Sequence, residues 1–195
     1  MPRPLLLVIW GWPGTGKTTL ARRLARDLRL PFVHKDGVKE KLFDTLGWND
    51  RAWSKQLSQA SNALLFHFAE ALLAAGQAVI VESNFDESAA APLRRLQARY
   101  DALLIQIHCH AQPETLLQRW QTRAAAGTRH PGHADGANVE ELKRLVFNSP
   151  PPRLETSGEV IELDTTDFER LDYDTLRRRI EAALTTLARQ PPAAA

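Results

Sequence analysis

The chain has 195 residues, of which 44% are hydrophobic and 25% charged, and its formal net charge is +2 at pH 7. This length is enough for one substantial core and leaves little room for two full domains. A single cysteine excludes an internal disulfide framework, and no apolar run reaches the roughly 18 residues that a membrane-spanning helix needs. We therefore expect a cytoplasmic protein without a membrane partner, while the near-neutral charge argues neither for nor against nucleic acid.

The first predicted element is a strand that leads directly into a phosphate-binding loop. Leu5–Trp10 is a continuous apolar run, which is typical of a strand buried on both faces of a parallel sheet. Residues 11–18, GWPGTGKT, fit the pattern G-x-x-x-x-G-K-S/T, whose glycines let backbone N–H groups point at phosphate oxygens. A helix predicted over Lys17–Leu28 directs its positive end to the same place. The expected nucleotide-binding residues are Gly11, Trp12, Pro13, Gly14, Thr15, Gly16, Lys17, Thr18 and Thr19.

Two residues of this loop have specific expected roles. Lys17 is expected to reach the β- and γ-phosphates, and the Thr18 hydroxyl is expected to ligate Mg²⁺. Four fixed positions between a strand and a helix are rare by chance, so the pattern predicts a nucleoside triphosphate site.

Further along the chain, apolar runs alternate with amphipathic segments. The other predicted strands are Pro31–His34, Gln77–Glu82, Ala102–His108 and Val160–Leu163. The other predicted helices start at Gly37 or span Arg51–Ala75, Ser88–Arg99, Pro113–Ala126, Asn138–Phe147 and Asp172–Leu187. The expected core face of the longest helix consists of Trp53, Leu57, Ala60, Leu64, Phe68, Ala71 and Leu72. This alternation predicts a three-layer α/β/α sandwich around a five-stranded parallel sheet, with ligands bound beyond the carboxyl ends of the strands.

Polar side chains follow two of the predicted strands at this edge. Asp36 follows the second strand, where it could orient an acceptor hydroxyl and take its proton, cap the helix that starts at Gly37, or do both. Glu82 ends the third strand, where it could reach Mg²⁺ directly, act through a water, or be an acid at a solvated strand end. Asn84 is a candidate contact of the acceptor. Acids beside a phosphate loop are what phosphoryl transfer needs.

Residues 113–147 are predicted to form a lid, because two helical segments flank the Gly- and Pro-containing loop 127–136. The candidate catalytic arginines in or beside this lid are Arg119, Arg123 and Arg129. Arginine suits the charge on a transferring phosphoryl group, although arginines on a helix can also form a solvated face. The segment 130–133, His-Pro-Gly-His, is expected to shape the lid or touch substrate. A zinc site at 108–110 is disfavoured, because strand alternation directs Cys109 away from the flanking histidines.

With these residues in place, the chain resembles the small P-loop kinases of the nucleoside-monophosphate-kinase-like class. Within that class it is most similar to ATP-binding proteins grouped with polynucleotide 5′-kinase, chloramphenicol phosphotransferase and the zeta toxins. The resemblance rests on GWPGTGKTT at 11–19, HKDGVK at 34–39, VIVESN at 79–84 and the pair Arg119 and Arg123. It implies a sheet of order 2-3-1-4-5, with Mg-ATP as the phosphoryl donor.

The resemblance also implies roles for residues on the acceptor side. Asp36 is expected to be the base that activates an acceptor hydroxyl, with Lys39 and Asn84 as further substrate contacts. The sequence departs from the family at Glu82, where Asp is often found, so that direct metal ligation there is open. The lid segment 129–133 matches no acceptor specificity of the family.

The leading hypothesis is an ATP-dependent kinase that phosphorylates a hydroxyl of a small molecule, such as a sugar, nucleoside or antibiotic. Residues 1–190 are expected to form a single P-loop kinase domain and 191–195 a disordered tail. A polynucleotide 5′-hydroxyl kinase is an alternative that needs a basic channel, and nucleic acid is possible but not favoured. The basic residues of the first helix, expected to face solvent behind the sheet, are Arg22, Arg23, Arg26 and Arg29. A nucleotide-dependent ATPase switch is a further alternative, for which the chain is short; the sequence indicates no oligomeric state.

Overall fold

The structure, a computed structural model, describes residues 3–133, 139–150 and 152–189. The predicted tail 191–195 and the end of the predicted lid loop, 134–136, lie outside these residues. Within the described ranges, every helix is too short or too polar to cross a membrane.

Five parallel strands form one sheet of order β2-β3-β1-β4-β5. The strands are β1 (Leu5–Trp10), β2 (Phe32–His34), β3 (Val79–Ser83), β4 (Leu103–His110) and β5 (Glu159–Asp164). This confirms the order that the resemblance implied. The register pairs Trp10 with Ser83 and His108, and His34 with Glu82, so that the carboxyl ends of the strands meet along one edge.

Helices cover both faces of this sheet, which confirms the three-layer α/β/α sandwich. They are α1 (Lys17–Leu28), α2 (Lys35–Leu46), α3 (Arg51–Ala74), α4 (Ala90–Tyr100), α5 (Pro113–Ala126), α6 (Val139–Asn148) and α7 (Tyr173–Arg189). The alternation along β1 divides the core: Leu5, Leu7 and Ile9 pack toward α1 and α7, whereas Leu6 and Val8 pack toward α3 and α4. All five side chains are buried, as expected for a strand inside a parallel sheet.

Helix α2 begins two residues earlier than predicted, at Lys35. Its N-cap is His34, whose imidazole Nδ1 accepts a hydrogen bond from the Gly37 N–H at 3.0 Å. Asp36 therefore lies inside the first turn, and the interpretation of Asp36 as the N-cap is wrong. The end of β2 already supplies the cap, which leaves the Asp36 carboxylate for other partners.

The predicted core face of α3 is wrong at most of its positions. Of the seven predicted residues only Leu57 is fully buried, while Leu72 packs against the core partly buried and Phe68 is 45% exposed. The buried positions are Ser54, Leu57, Ser61, Leu65, Ala69 and Leu73. A stripe counted from apolar residues alone misses the serines, although the Ser61 hydroxyl is satisfied by donating to the Leu57 carbonyl at 2.6 Å.

The first glycine of the phosphate loop gives a test of the fold. Gly11 has a φ of 140°, and a Cβ added there would lie 2.0 Å from the Cys109 carbonyl oxygen. We expect Gly11→Ala to lower the free energy of unfolding by about 3 kcal/mol or more, because backbone strain and a steric clash add. Urea denaturation measures this loss. The control is Gly127→Ala, which has a φ of 58° but open space around the added Cβ, and should lose only about 1 kcal/mol.

Candidate active site

A cavity of about 450 Å³ lies at the carboxyl edge of the sheet, between the phosphate loop, α2, α3 and the lid helices. It brings together most of the predicted site residues. Those that line it are Pro13, Gly14, Gly16, Lys17, Thr18, Thr19, Asp36, Lys39, Asn84, Arg119, Arg123 and Arg129. Gly11, Trp12, Thr15 and Glu82 do not line it. Within the loop, the Thr15 hydroxyl donates a hydrogen bond to the Trp12 carbonyl at 2.9 Å.

The phosphate loop leaves the amino end of α1 open to a ligand. Gly16 is the N-cap with a φ of 77°, and no side chain caps the helix. The N–H groups of the first turn are therefore available to anionic oxygens, and the helix dipole favours the same charge. A Cβ at Gly16 would lie 2.8 Å from the Phe168 ring, so that glycine also permits close packing behind the loop.

Lys17 is held under the loop in this structure. Its ammonium donates to the Trp12 carbonyl at 3.1 Å and lies 3.9 Å from Glu82 Oε1. The side chain is almost fully buried, and this burial lowers its pKa, while Glu82 and Asp36 act in the opposite direction. A buried ammonium with one carbonyl and one more distant carboxylate can turn toward phosphate oxygens without breaking a tight ion pair.

Glu82 lies beside the loop, not at a solvated strand end. It is 4% exposed, and its Oε2 accepts a hydrogen bond from the Thr18 hydroxyl at 2.9 Å. Burial raises the pKa of Glu82, and the nearby Lys17 opposes the rise. A hydroxyl and a carboxylate are hard oxygen donors, so this pair fits the ligand preference of Mg²⁺, which keeps water and phosphate oxygens in its other positions.

Asp36 faces the phosphate loop across the cavity and forms an ion pair with Arg129 of the lid. Burial alone raises the pKa of Asp36, but the positive charges of Arg129, Lys35 and Lys17 outweigh it and bring the pKa to about 2. The carboxylate is therefore ionised throughout the neutral range.

Lys39 projects from α2 into the same cavity and is 5% exposed. Its ammonium donates to the Ser54 hydroxyl of α3 at 2.8 Å and lies 5.0 Å from the centre of the Phe43 ring. Burial and the neighbouring Lys35 are the main causes that lower the pKa of Lys39, to about 8. Lys39 was predicted from the resemblance alone as a substrate contact, and it lines the cavity together with Asp36 of the same helix.

The three arginines reach the cavity in different ways. Arg119 donates to the carbonyls of Thr165 and Thr166, at 2.8 and 3.1 Å, and to that of Gly14 at 3.4 Å. It thereby joins the phosphate loop to the segment after β5. The Arg123 guanidinium carbon lies 4.6 Å from the centre of the Trp120 ring. Arg129 forms the ion pair with Asp36 of α2.

The predicted lid, residues 113–147, has its own small core and packs on α2. Helices α5 and α6 pack through Leu116, Trp120, Leu142 and Val146. The His130 ring stacks on Phe43 at 5.0 Å between centroids, and His133 meets Phe43 edge-on at 5.4 Å.

Gly132 allows this docking, because a Cβ there would lie 2.8 Å from the Phe43 ring. His133 Nε2 lies 3.0 Å from a Glu40 oxygen, and burial lowers the pKa of His133 to about 3. The contact is thus a hydrogen bond from a neutral imidazole at pH 7. The segment 130–133 thus packs on α2, and His133 also lines the cavity, so both roles expected for this segment stay open.

Several cavity residues were not predicted from the sequence. They are Lys35, Arg51, Lys55, Ser58, Trp120, Glu141, Leu142 and Leu145, whereas His133 belongs to the segment 130–133 that was expected to shape the lid or touch substrate. One signal was available: Arg51 and Lys55 are four residues apart in a predicted helix, and so share one face. The adjacent residues Cys109 and His108 of β4 point to opposite faces of the sheet. Cys109 is buried in the aliphatic core, whereas His108 stacks on Trp10. No group of three or more His, Cys, Asp or Glu side chains suited to a metal ion is found in the described ranges.

The sheet has the strand order 2-3-1-4-5, and the phosphate loop follows its first strand in the chain. This is the architecture of the P-loop kinases, and the chain belongs to this class of phosphotransferase. More narrowly, the chain belongs to the family AAA_33, described as "AAA domain", whose model matches residues 6–148. The chain shares the phosphate loop with the P-loop kinases, and the function of this loop is to bind nucleotide.

Solved structures extend the comparison. A structure from Chloroflexus aurantiacus, described as a "putative kinase", is 37% identical, with a TM-score of 0.86 over 92% of this chain and 97% of that one. The APS kinase of Mycobacterium tuberculosis, solved with AMPPNP and APS, is 16% identical, with a TM-score of 0.60 over 95% and 99% of the chains. A sugar kinase from Janibacter is 18% identical, with a TM-score of 0.54 over 93% and 95%. The last two share the fold. A comparison with curated proteins gives no match.

Proposed function

We propose that this protein transfers the γ-phosphoryl group of Mg-ATP to a hydroxyl group of a small molecule. The observation that carries the proposal is the position of Asp36, which faces Lys17 and the open amino end of α1 across one cavity. A carboxylate there can contact an acceptor hydroxyl while the loop holds the triphosphate. The solved relative that is 37% identical, described as a kinase, supports the same reaction class.

In this mechanism the acceptor oxygen forms a new bond to the γ-phosphorus, and the bond from that phosphorus to the β,γ-bridging oxygen breaks. ADP leaves with the electron pair of the broken bond, and the hydroxyl proton passes to Asp36. Because the pKa of Asp36 is about 2, the carboxylate is a weak base that orients the hydroxyl first and takes the proton late. A loose transition state, in which the phosphoryl group is nearly free, tolerates such late proton transfer.

The phosphate side of the mechanism uses the loop and the lid. Lys17 leaves the Trp12 carbonyl to contact the β- and γ-phosphates, and Arg123 approaches the transferring group from α5. Thr18 and Glu82 are the residues that would hold Mg²⁺, which supplies charge neutralisation on the phosphate oxygens when it is bound. Thr18 would be a direct ligand and Glu82 either a direct one or a water-mediated one.

The polynucleotide alternative gains no support from the basic residues of α1. Its arginines Arg22, Arg23 and Arg26 and its C-cap Arg29 are exposed and do not line the cavity. They therefore form no part of a basic channel at the candidate site. If single-stranded oligonucleotide inhibited the enzyme at low salt, this conclusion would be wrong.

The proposal is tested by measuring ADP release with Mg-ATP across sugars, nucleosides, aminoglycosides, chloramphenicol-like compounds and 5′-hydroxyl oligonucleotides. We expect one class of small hydroxyl compound to raise ADP release well above the rate without acceptor, and mass spectrometry to find a phosphorylated product. ADP release that is the same with and without every acceptor would indicate a simple ATPase.

The ion pair between Arg129 and Asp36 gives a prediction for pH dependence. The folded pKa of Asp36 is depressed, so that its ionised form is lost only as pH falls through about 2. In Arg129→Met, burial is no longer offset by this charge and the pKa rises. The acid limb of the kcat/KM profile, which reports pKa values of the free enzyme, should then move to higher pH. The measurement is kcat/KM against pH, with the exposed Arg144→Met as control. An acid limb that does not move would show that Arg129 does not set the pKa of Asp36.

A further inference from the structure

Lys39 of α2 is the most unusual charged group in the cavity. Lys39 is 5% exposed, yet among the described residues its ammonium has a hydroxyl and an aromatic ring as partners and no carboxylate within ion-pair distance. A buried ammonium is costly unless an anion compensates it. The ammonium faces the cavity, so the compensating anion can come from a ligand.

The rest of the cavity wall carries the same excess of positive charge. Among the described residues that line it, the carboxylates are Asp36 and Glu141, and both already have arginine partners. Asp36 pairs with Arg129, and both oxygens of Glu141 accept from Arg51 at 2.7 Å. Lys35 and Lys55 also line the cavity, and they form no hydrogen bond or ion pair with any described side chain.

These lysines lie on the acceptor side of the cavity. Lys35 and Lys39 belong to α2 and Lys55 to α3, whereas the phosphate loop and Lys17 belong to the β1–α1 connection. The nucleotide therefore has its own cations, Lys17 and the arginines of α5. The positive charges of Lys35, Arg51 and Arg129 also contribute to the lowered pKa of Lys39. An anion bound beside the Lys39 ammonium would raise this pKa again.

We propose that the phosphoryl acceptor carries, besides its hydroxyl, an anionic group of the phosphate or carboxylate type, which Lys39 binds with Lys35 and Lys55 beside it. The inference rests on the proposed function for the presence of an acceptor. It narrows the substrate class from hydroxyl compounds in general to small hydroxyl compounds with a negative charge, and it makes Lys39 a determinant of specificity.

The first test measures binding and needs no turnover. The full chain is saturated with Mg-AMPPNP, which fills the nucleotide site, and inorganic phosphate is titrated at constant ionic strength with tryptophan fluorescence as the readout. We expect saturable binding that Lys39→Met weakens by about tenfold or more, since a charge-assisted hydrogen bond is lost. The exposed variant Lys55→Met should weaken binding less, and it does not depend on replacing a buried side chain.

The matched control is Lys41→Met, on the same helix, whose side chain is 82% exposed and pairs with Asp44 outside the cavity. It should leave phosphate binding unchanged. No saturable phosphate binding, equal binding by Lys39→Met and the wild type, or a Lys39→Met effect on AMPPNP affinity alone would each overturn the proposal.

The second test measures turnover with matched pairs of acceptors. Each pair consists of a hydroxyl compound with a phosphate or carboxylate and the neutral parent or amide, so that the two arms separate phosphate from carboxylate. We expect kcat/KM to favour the charged member of one arm by about 100-fold, and Lys39→Met to remove most of this preference. Equal or better use of the neutral members would overturn the inference while leaving the kinase function in place. If no acceptor of either kind were phosphorylated, the proposed function would fail, and phosphate binding would still report on Lys39.

Discussion

Replacement of Lys17 by methionine is expected to lower the rate of phosphoryl transfer by about 10²–10³-fold or more, while the free energy of unfolding changes by no more than about 1 kcal/mol. The loss of rate follows from the role of this ammonium, which is to bind charge that develops on the γ-phosphate and the leaving oxygen. Methionine keeps an unbranched apolar stem in the buried site, whereas alanine would leave a gap there.

The small effect on stability needs a separate argument, because Lys17 is not simply a ligand contact. It lies buried between the Trp12 carbonyl and Glu82, so its removal takes a positive charge away from a buried carboxylate. The pKa of Glu82 is already raised by burial and should rise further. Glu82 keeps the hydrogen bond from the Thr18 hydroxyl, so that it is not left without a polar partner.

Two measurements check this prediction. Initial rates of ADP release report on transfer, and urea denaturation reports on stability, with Lys41→Met as the exposed lysine control. A rate within tenfold of the wild type would show that the loop binds nucleotide without using Lys17 in catalysis. A rate loss together with a loss of several kcal/mol in stability would instead assign Lys17 to the fold.

The elements around β1 could be predicted because their signals are local. The run Leu5–Trp10 and the loop 11–18 specify strand, turn and helix within about 25 consecutive residues, and the structure follows them closely. Sheet order came from the resemblance, since no local pattern states which strands are neighbours. The start of α2 was missed because an imidazole, His34, acts as the N-cap in place of the usual hydroxyl or carboxylate.

The acceptor half of the cavity could not be read from the sequence for a different reason. Lys39, Ser54 and Arg129 come from α2, α3 and the lid, and only the folded chain brings them together. Ser54 was not part of the predicted core face of α3, yet it is buried, and its hydroxyl accepts a hydrogen bond from the Lys39 ammonium. A prediction of buried positions that counts only apolar residues misses a buried polar pair such as Lys39 and Ser54. In this chain the missed pair lies at the candidate binding site.

Asp36→Asn is expected to lower kcat for transfer by about 10²–10⁴-fold and to leave the affinity for Mg-ATP nearly unchanged. Asparagine has the same shape and can accept a hydrogen bond from the acceptor hydroxyl, so orientation is partly kept. It cannot take the proton, and it no longer neutralises Arg129. ADP release with the identified acceptor, together with calorimetric titration of Mg-AMPPNP, measures the two effects. Asp174→Asn, an exposed carboxylate on α7, is the control.

The division of the effect between kcat and nucleotide affinity decides what Asp36 does. With a pKa of about 2, Asp36 is a weak base, so its replacement removes little basic strength from the site. A large loss in kcat with unchanged Mg-AMPPNP affinity would therefore mean that the position of the carboxylate and late proton transfer matter more than basic strength. A normal kcat would leave Asp36 only as the anchor for Arg129. Equal losses in kcat and Mg-AMPPNP affinity would assign it to holding the lid over the nucleotide, since Arg129 would then lose its contact with α2.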